Sequence, residues 1–264
     1  MPDKPNFVLV PDELPAVPST PGRGIMGSLR SAVTSALSAA ASAPATLQAI
    51  LGNAEPPAET GPPARPRLVF AVDATASREP AWEAARRATD TLVKALPGKL
   101  DVALAVHGGS RVHIFTAFTD DVATLRDRAA GVVCQAGLTR LLPILSASLK
   151  RPAVRVVIYI GDVFEESLAE GRRLADAMGA KGIKLIVLHD TADAAARPYS
   201  EVFWDLARRT GGCVLPFNAN ASDRLRDILS AVAVYAVGGE ELLEERRHEL
   251  PGAVALLENL GRRR

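Results

Sequence analysis

What most limits the fold of this chain is an alternation: from residue 67 to residue 236, short apolar runs take turns with segments of helical character. The runs 68–73, 101–107, 111–116, 154–160, 183–188 and 213–216 have strand length. Helical segments are predicted at 80–95, 120–132, 140–150, 164–180, 199–210 and 222–236. A run such as Leu68-Val69-Phe70-Ala71-Val72, apolar without a polar face, belongs to a strand covered on both sides. Strands separated by helices imply parallel neighbours, so the expected fold is α/β: a doubly wound, mostly parallel six-stranded sheet with helices on both faces. One pair breaks the alternation. Runs 101–107 and 111–116 are joined by "HGGS", residues 107–110, and should form an antiparallel hairpin at one edge.

The chain of 264 residues is long enough for this one domain, residues 67–236, plus extensions at either end. Residues 1–66 divide into a proline-rich extended or disordered tail (1–24), a weakly amphipathic helix over 25–51 interrupted at Pro44, and a Pro-rich linker (53–66). Residues 237–264, "VGGEELLEERRHELPGAVALLENLGRRR", read as a charged helical extension with a solvated face and a basic tip. A net charge of +1 supplies no bulk attraction toward nucleic acid, and no basic stripe with interleaved aromatics occurs. No apolar run approaches the ~20 residues of a membrane span, and no apolar signal core stands at the start, so the expected location is the cytoplasm. Cys134 and Cys213 match no metal-ligand spacing and suit reduced thiols better than a disulfide.

Function concentrates where strands end. In an open α/β sheet, ligands gather beyond the carboxyl ends of strands, where the winding reverses. The first strand runs into "DATAS", placing Asp73, Thr75 and Ser77 at alternate positions before Pro80 can start a helix. "VRVVIYIGD" ends in Gly161 and Asp162, and "CQAGLTRLL" offers Thr139 just before a new helix. If strands 68–73 and 154–160 are central neighbours, Asp73 and Asp162 face one crevice. Two carboxylates and three hydroxyls make an all-oxygen set, which favours Mg²⁺, with Mn²⁺ or Ca²⁺ as other hard ions, over zinc or copper. Two aspartates balance a dication while hydroxyls add no charge. The ion therefore stays electrophilic and suits capture of an external carboxylate.

These residues resemble a family. "DATAS" has the form Asp-x-Thr-x-Ser, a version of the Asp-x-Ser-x-Ser signature of von Willebrand factor A domains; "GLT" and "IYIGD" resemble that family's separate Thr and Asp contributions. Thr75 stands where Ser is commoner, and Val163 where many relatives have glycine after the aspartate. The resemblance covers roughly residues 67–236 and implies a Rossmann-like sheet carrying a metal-ion-dependent adhesion site (MIDAS). In such a site the hydroxyls of Thr75, Ser77 and Thr139 approach Mg²⁺, Asp73 and Asp162 coordinate directly or through water, and an Asp or Glu of a protein partner completes the octahedron. It further implies a non-enzymatic adaptor within larger assemblies, with ATPases or chaperones among the partners.

Other readings compete for each residue. Asp73 and Ser77 could cap the next helix, Thr139 could cap 140–150, and Asp162 could be an acid favoured at a helix start. Glu165 and Glu166 read as solvated. His107 and His113 read as structural, His189 as structural or on the rim, and Trp82 and Trp204 as packing residues. Two further functions use the same crevice: metal-dependent phosphoryl or ester hydrolysis, or a degenerate scaffold that binds by shape without an ion. Against hydrolysis stands the lack of a nucleophile elbow, a glycine-rich phosphate loop or a histidine placed as general base.

Overall fold

The computed structural model describes residues 65–96 and 98–260; at residue 113 it describes the backbone alone. The tail, the helix over 25–51, the linker up to residue 64, and the basic tip 261–264 lie outside the described residues, as does the His113 side chain.

Six strands form one sheet: β1 (Arg67–Asp73), β2 (Asp101–Gly108), β3 (Arg111–Phe115), β4 (Val154–Gly161), β5 (Lys184–Asp190) and β6 (Cys213–Phe217). Their order is β3-β2-β1-β4-β5-β6, and every neighbouring pair is parallel except β2–β3. The expected edge hairpin is present. Its two-residue loop, Gly109-Ser110, has positive φ at both positions (53° and 66°), the backbone a tight turn between right-twisted strands needs.

The helices are α1 (Glu79–Ala88), α2 (Thr91–Lys94), α3 (Val122–Ala130), α4 (Leu141–Leu149), α5 (Leu168–Ala180), α6 (Ser200–Arg209), α7 (Ser222–Glu245) and α8 (Pro251–Leu260). Alternation along β1 sorts the two layers: Leu68, Phe70 and Val72 face a core shared with α1, α2, α3, α7 and α8, while Val69 and Ala71 face one shared with α4, α5 and α6. Trp82 is buried in the first core and Trp204 packs against the second, as packing residues do.

Three helical segments differ from expectation for readable reasons. The segment 80–95 is split between α1 and α2, where Thr89 turns its hydroxyl back onto the Ala85 carbonyl (2.9 Å). The segment predicted from 164 begins at Leu168, because Ser167 is its N-cap and accepts the Glu170 amide. Helix α7 continues past 236 to Glu245 with a kink at Gly239 (φ 70°). The C-terminal extension is therefore not simply a solvated charged helix. Leu243, Ala253 and Leu256 are wholly buried, and α8 packs on α7 and β6.

The order of strands sets the place of the site. Connections leave β1 toward β2 on one side, while β4 leads to β5 on the other, so the winding reverses between β1 and β4. Val72 lies beside Ile160 in register, which brings the ends carrying Asp73 and Asp162 together beyond that switch point.

Candidate functional site

Asp73 ends β1 with its side chain almost wholly buried (1% exposed). Its Oδ1 accepts the Thr75 amide (2.9 Å), an Asx-type turn that folds "DATAS" back on itself. Among the described residues its Oδ2 is buried with no hydrogen-bond partner. A buried carboxylate oxygen without a donor is costly, so this one calls for a ligand. Thr75 is buried, whereas Ser77 is exposed on the 3₁₀ turn Ala76–Arg78. No side-chain hydrogen bond caps that turn or α1, so the capping roles considered for Asp73 and Ser77 are not taken up.

Thr139 is buried (2% exposed) and does not cap α4, whose N-cap position is Arg140. It trades hydrogen bonds with Glu165 instead: the Thr139 amide donates to Glu165 Oε2 (2.9 Å), and Thr139 Oγ1 accepts the Glu165 amide (3.1 Å). Glu166 Oε2 accepts the Leu142 amide (2.9 Å), capping α4 from across the crevice. The two glutamates are thus a clamp between the 139 loop and the β4–α5 loop, not merely solvated acids. Their role escapes a sequence reading because each partner lies more than twenty positions away in the chain.

The 131–140 loop is held over the strand ends as well. Gln135 donates its amide to the Ala74 carbonyl, and the Gly109 amide donates to the Gln135 carbonyl. Gly137 passes so close to the hairpin turn that a Cβ there would collide with the backbone of Gly109 and Ser110. Gly161, before Asp162, is equally restricted, since a Cβ would overlap the Tyr159 hydroxyl.

Asp162 is half-buried. Its Oδ1 accepts the Val163 amide (2.8 Å), and its Oδ2 lies 3.6 Å from Arg78 Nη1. Arg78 is the cation that the motif reading missed, although it follows "DATAS" directly. Its side chain is 9% exposed and its Nη1 donates to Asp190 Oδ2 at 2.9 Å. The Nε and Nη2 atoms of Arg78 have no hydrogen-bond partner among the described residues. Burial pushes the Asp73 carboxyl above the usual carboxylate range despite the Thr75 hydrogen bonds and Arg78. Burial does the same to Asp162, with Arg78 opposing and the Asp73 charge reinforcing the rise. Asp162 feels the Asp73 charge, and Arg78 acts on both, which places the two carboxylates in one electrostatic site.

His189 and His107 are each held by hydrogen bonds. His189, at the end of β5, faces the Asp162 carbonyl through Nε2 (2.9 Å) and the Ser200 hydroxyl through Nδ1 (3.3 Å). It thereby fixes the loop that carries Asp162. His107 is fully buried, with Nε2 3.1 Å from the Tyr159 hydroxyl. Its Nδ1 lies 3.3 Å from the Arg140 amide nitrogen, which donates to it, and 3.7 Å from Asp73 Oδ1.

Asp73, Thr75, Ser77, Thr139 and Asp162 therefore all belong to segments meeting at the β1/β4 switch point. Among the described residues no group of three or more His, Cys, Asp or Glu side chains could hold a metal ion. An ion here would depend on two carboxylates supplemented by hydroxyls. The oxygen-only donor set and the orphaned Asp73 Oδ2 fit a hard dication.

The architecture has known counterparts. A structure described as von Willebrand factor type A from Catenulispora acidiphila is similar at a TM-score of 0.53 and 13% identity, covering 66% of this chain and 43% of that one. The fold is that of von Willebrand factor A domains. The pilus adhesin SpaC from Lactobacillus rhamnosus GG shares it at 0.53 and 11% identity, over 68% of this chain and 31% of the adhesin. So does an aerotolerance-related membrane protein from Bacteroides fragilis, at 0.50 and 15% identity, over 64% and 98%. This chain thus spans less than half of the Catenulispora protein. No family model matches the sequence, and no curated protein matches it. At these identities the likeness to von Willebrand factor A domains is one of fold, and what the crevice does must be argued from its own residues.

Proposed function

We propose that this chain is a protein-interaction module whose β1/β4 crevice holds a divalent cation, Mg²⁺ foremost, and uses it to capture an Asp or Glu of a protein partner. The observation carrying this reading is Asp73 Oδ2, buried and without a donor among the described residues, at the strand end where the winding reverses. Asp73 and Asp162 would hold the ion with the hydroxyls of Thr75, Ser77 and Thr139. The ion would supply a Lewis-acidic position for the incoming carboxylate. Val133 (71% exposed) and Leu138 (46% exposed) give the loop beside Thr139 an apolar rim, which suits a protein surface around the acid. Binding is favoured over hydrolysis because both ring nitrogens of His189 are engaged and His107 is sealed in the core. Both cysteines are free, which accords with a reducing compartment such as the cytoplasm. An adaptor role in an ATPase or chaperone assembly is the setting we propose for it.

Titration calorimetry of the full chain with MgCl₂ tests the reading. Wild-type protein should bind the ion, and Asp73→Ala should abolish binding; an unaltered isotherm in that variant rejects the site. A partner recovered from native cells should be lost on adding EDTA. Arg78 favours a second reading, a scaffold whose crevice is satisfied by an internal cation. Under it, no divalent ion would shift the melting temperature of the wild-type protein.

A further inference from the structure

Three aspartates end three adjacent strands: Asp73 on β1, Asp162 just past β4, and Asp190 on β5. Asp73 and Asp190 are buried, and Asp162 is half-buried. A single guanidinium, Arg78, sits among them, nearer to Asp190 (2.9 Å) than to Asp162 (3.6 Å). One positive charge against three carboxylates leaves two negative charges, which is what a dication cancels. Glu165 adds a fourth carboxylate at the exposed rim, and its charge acts on Asp73, deepening the negative field that a dication would meet.

The same geometry sets Arg78 against an ion. Asp162 Oδ2 is the oxygen closest to the guanidinium on the metal side, so arginine and dication compete for it. They also repel across a buried space where charges interact strongly. Asp190 draws the guanidinium the other way, and its own position is fixed by Oδ1 accepting the Ala192 amide (2.9 Å).

We propose that Arg78 is a resident competitor for the crevice's cation, and that Asp190 is the positioning residue that holds it back from Asp162. Without an ion, Arg78 keeps three clustered carboxylates from repelling one another. With an ion, it weakens affinity, so that occupancy answers to concentration instead of being permanent. This inference rests on the metal reading above.

Calorimetry on the full chain with MgCl₂, paired with metal-free melting curves, tests it. Arg78→Gln should bind Mg²⁺ at least tenfold more tightly than wild type, melt lower without the ion, and recover on adding it. Asp190→Asn should bind more weakly, because it removes a negative charge and frees the guanidinium to close on Asp162. A merely structural arginine would not raise ion affinity when removed. Equal or weaker Mg²⁺ binding by Arg78→Gln, with wild-type binding intact, overturns the proposal and leaves the metal reading standing. Binding by Arg78→Gln but not by wild type supports the proposal while showing that the native crevice is closed to the ion. No binding by either removes both. Should Arg78→Gln fail to fold, Asp190→Asn decides: affinity equal to or above wild type overturns the inference.

Discussion

At the scale of single residues, backbone approach limits the site as firmly as its charges do. Gly137 has no room for a side chain, because the 131–140 loop presses against the Gly109-Ser110 turn. Gly137→Ala must push that loop away from the hairpin and disturb Thr139 two positions on. It should cost about 1–3 kcal/mol by overpacking, read as a lower melting temperature. Mg²⁺ affinity should fall in the same variant. Sequence alone singles out Asp73, Thr75 and Ser77, since alternate spacing at a strand end is a local pattern. It gives no comparable signal for Arg78 and Asp190, whose pairing spans 112 positions and exists only once β1 and β5 share a sheet. Arg78 is adjacent to the motif, and that adjacency was the one available hint.

Between elements, the packing of α5 on α6 shows how charge joins helices. Asp205 on α6 accepts Arg172 of α5 (2.6 Å) and Arg209 of its own helix (3.0 Å). Burial raises its carboxyl, but the hydrogen bonds and charges of both arginines outweigh that and hold it below the usual carboxylate range. A depressed folded value means that the folded state resists protonation. The contribution is therefore present above the unfolded value and lost as pH falls through the depressed one. Asp205→Asn should cost about 0.5–1 kcal/mol at neutral pH. The gap between its melting temperature and that of wild type should close in acid, as differential scanning calorimetry across pH would show. All six strands, five to eight residues long, were legible at this scale, because a short run of strand character is a property of the run itself. The start of α5 was not, since residues 162–166 resemble a helix start but are spent on the clamp to Thr139 and Leu142.

Over the whole molecule, β6 and α7 are covered in part by a C-terminal extension that a sequence reading assigns to solvent. "EELLEERRHEL" hides Leu243 among charges beyond a kink at Gly239 that no periodicity foretells, and Leu256 follows on α8; both are wholly buried. Leu256→Ala should remove about 2–4 kcal/mol of stability and lower the melting temperature by several degrees. An inert α8 would leave it unchanged. The doubly wound sheet itself was legible from the alternation of runs, and with it the β1/β4 crevice. The charge balance inside was not, because it is a sum over segments that meet only in three dimensions. That long separation carries a temporal meaning. While a nascent chain is still leaving the ribosome, Asp73 and Arg78 emerge long before Asp190, so the arginine spends synthesis without its anchor. Any competition between that guanidinium and an outside ion can begin only after the fifth strand has been made and docked.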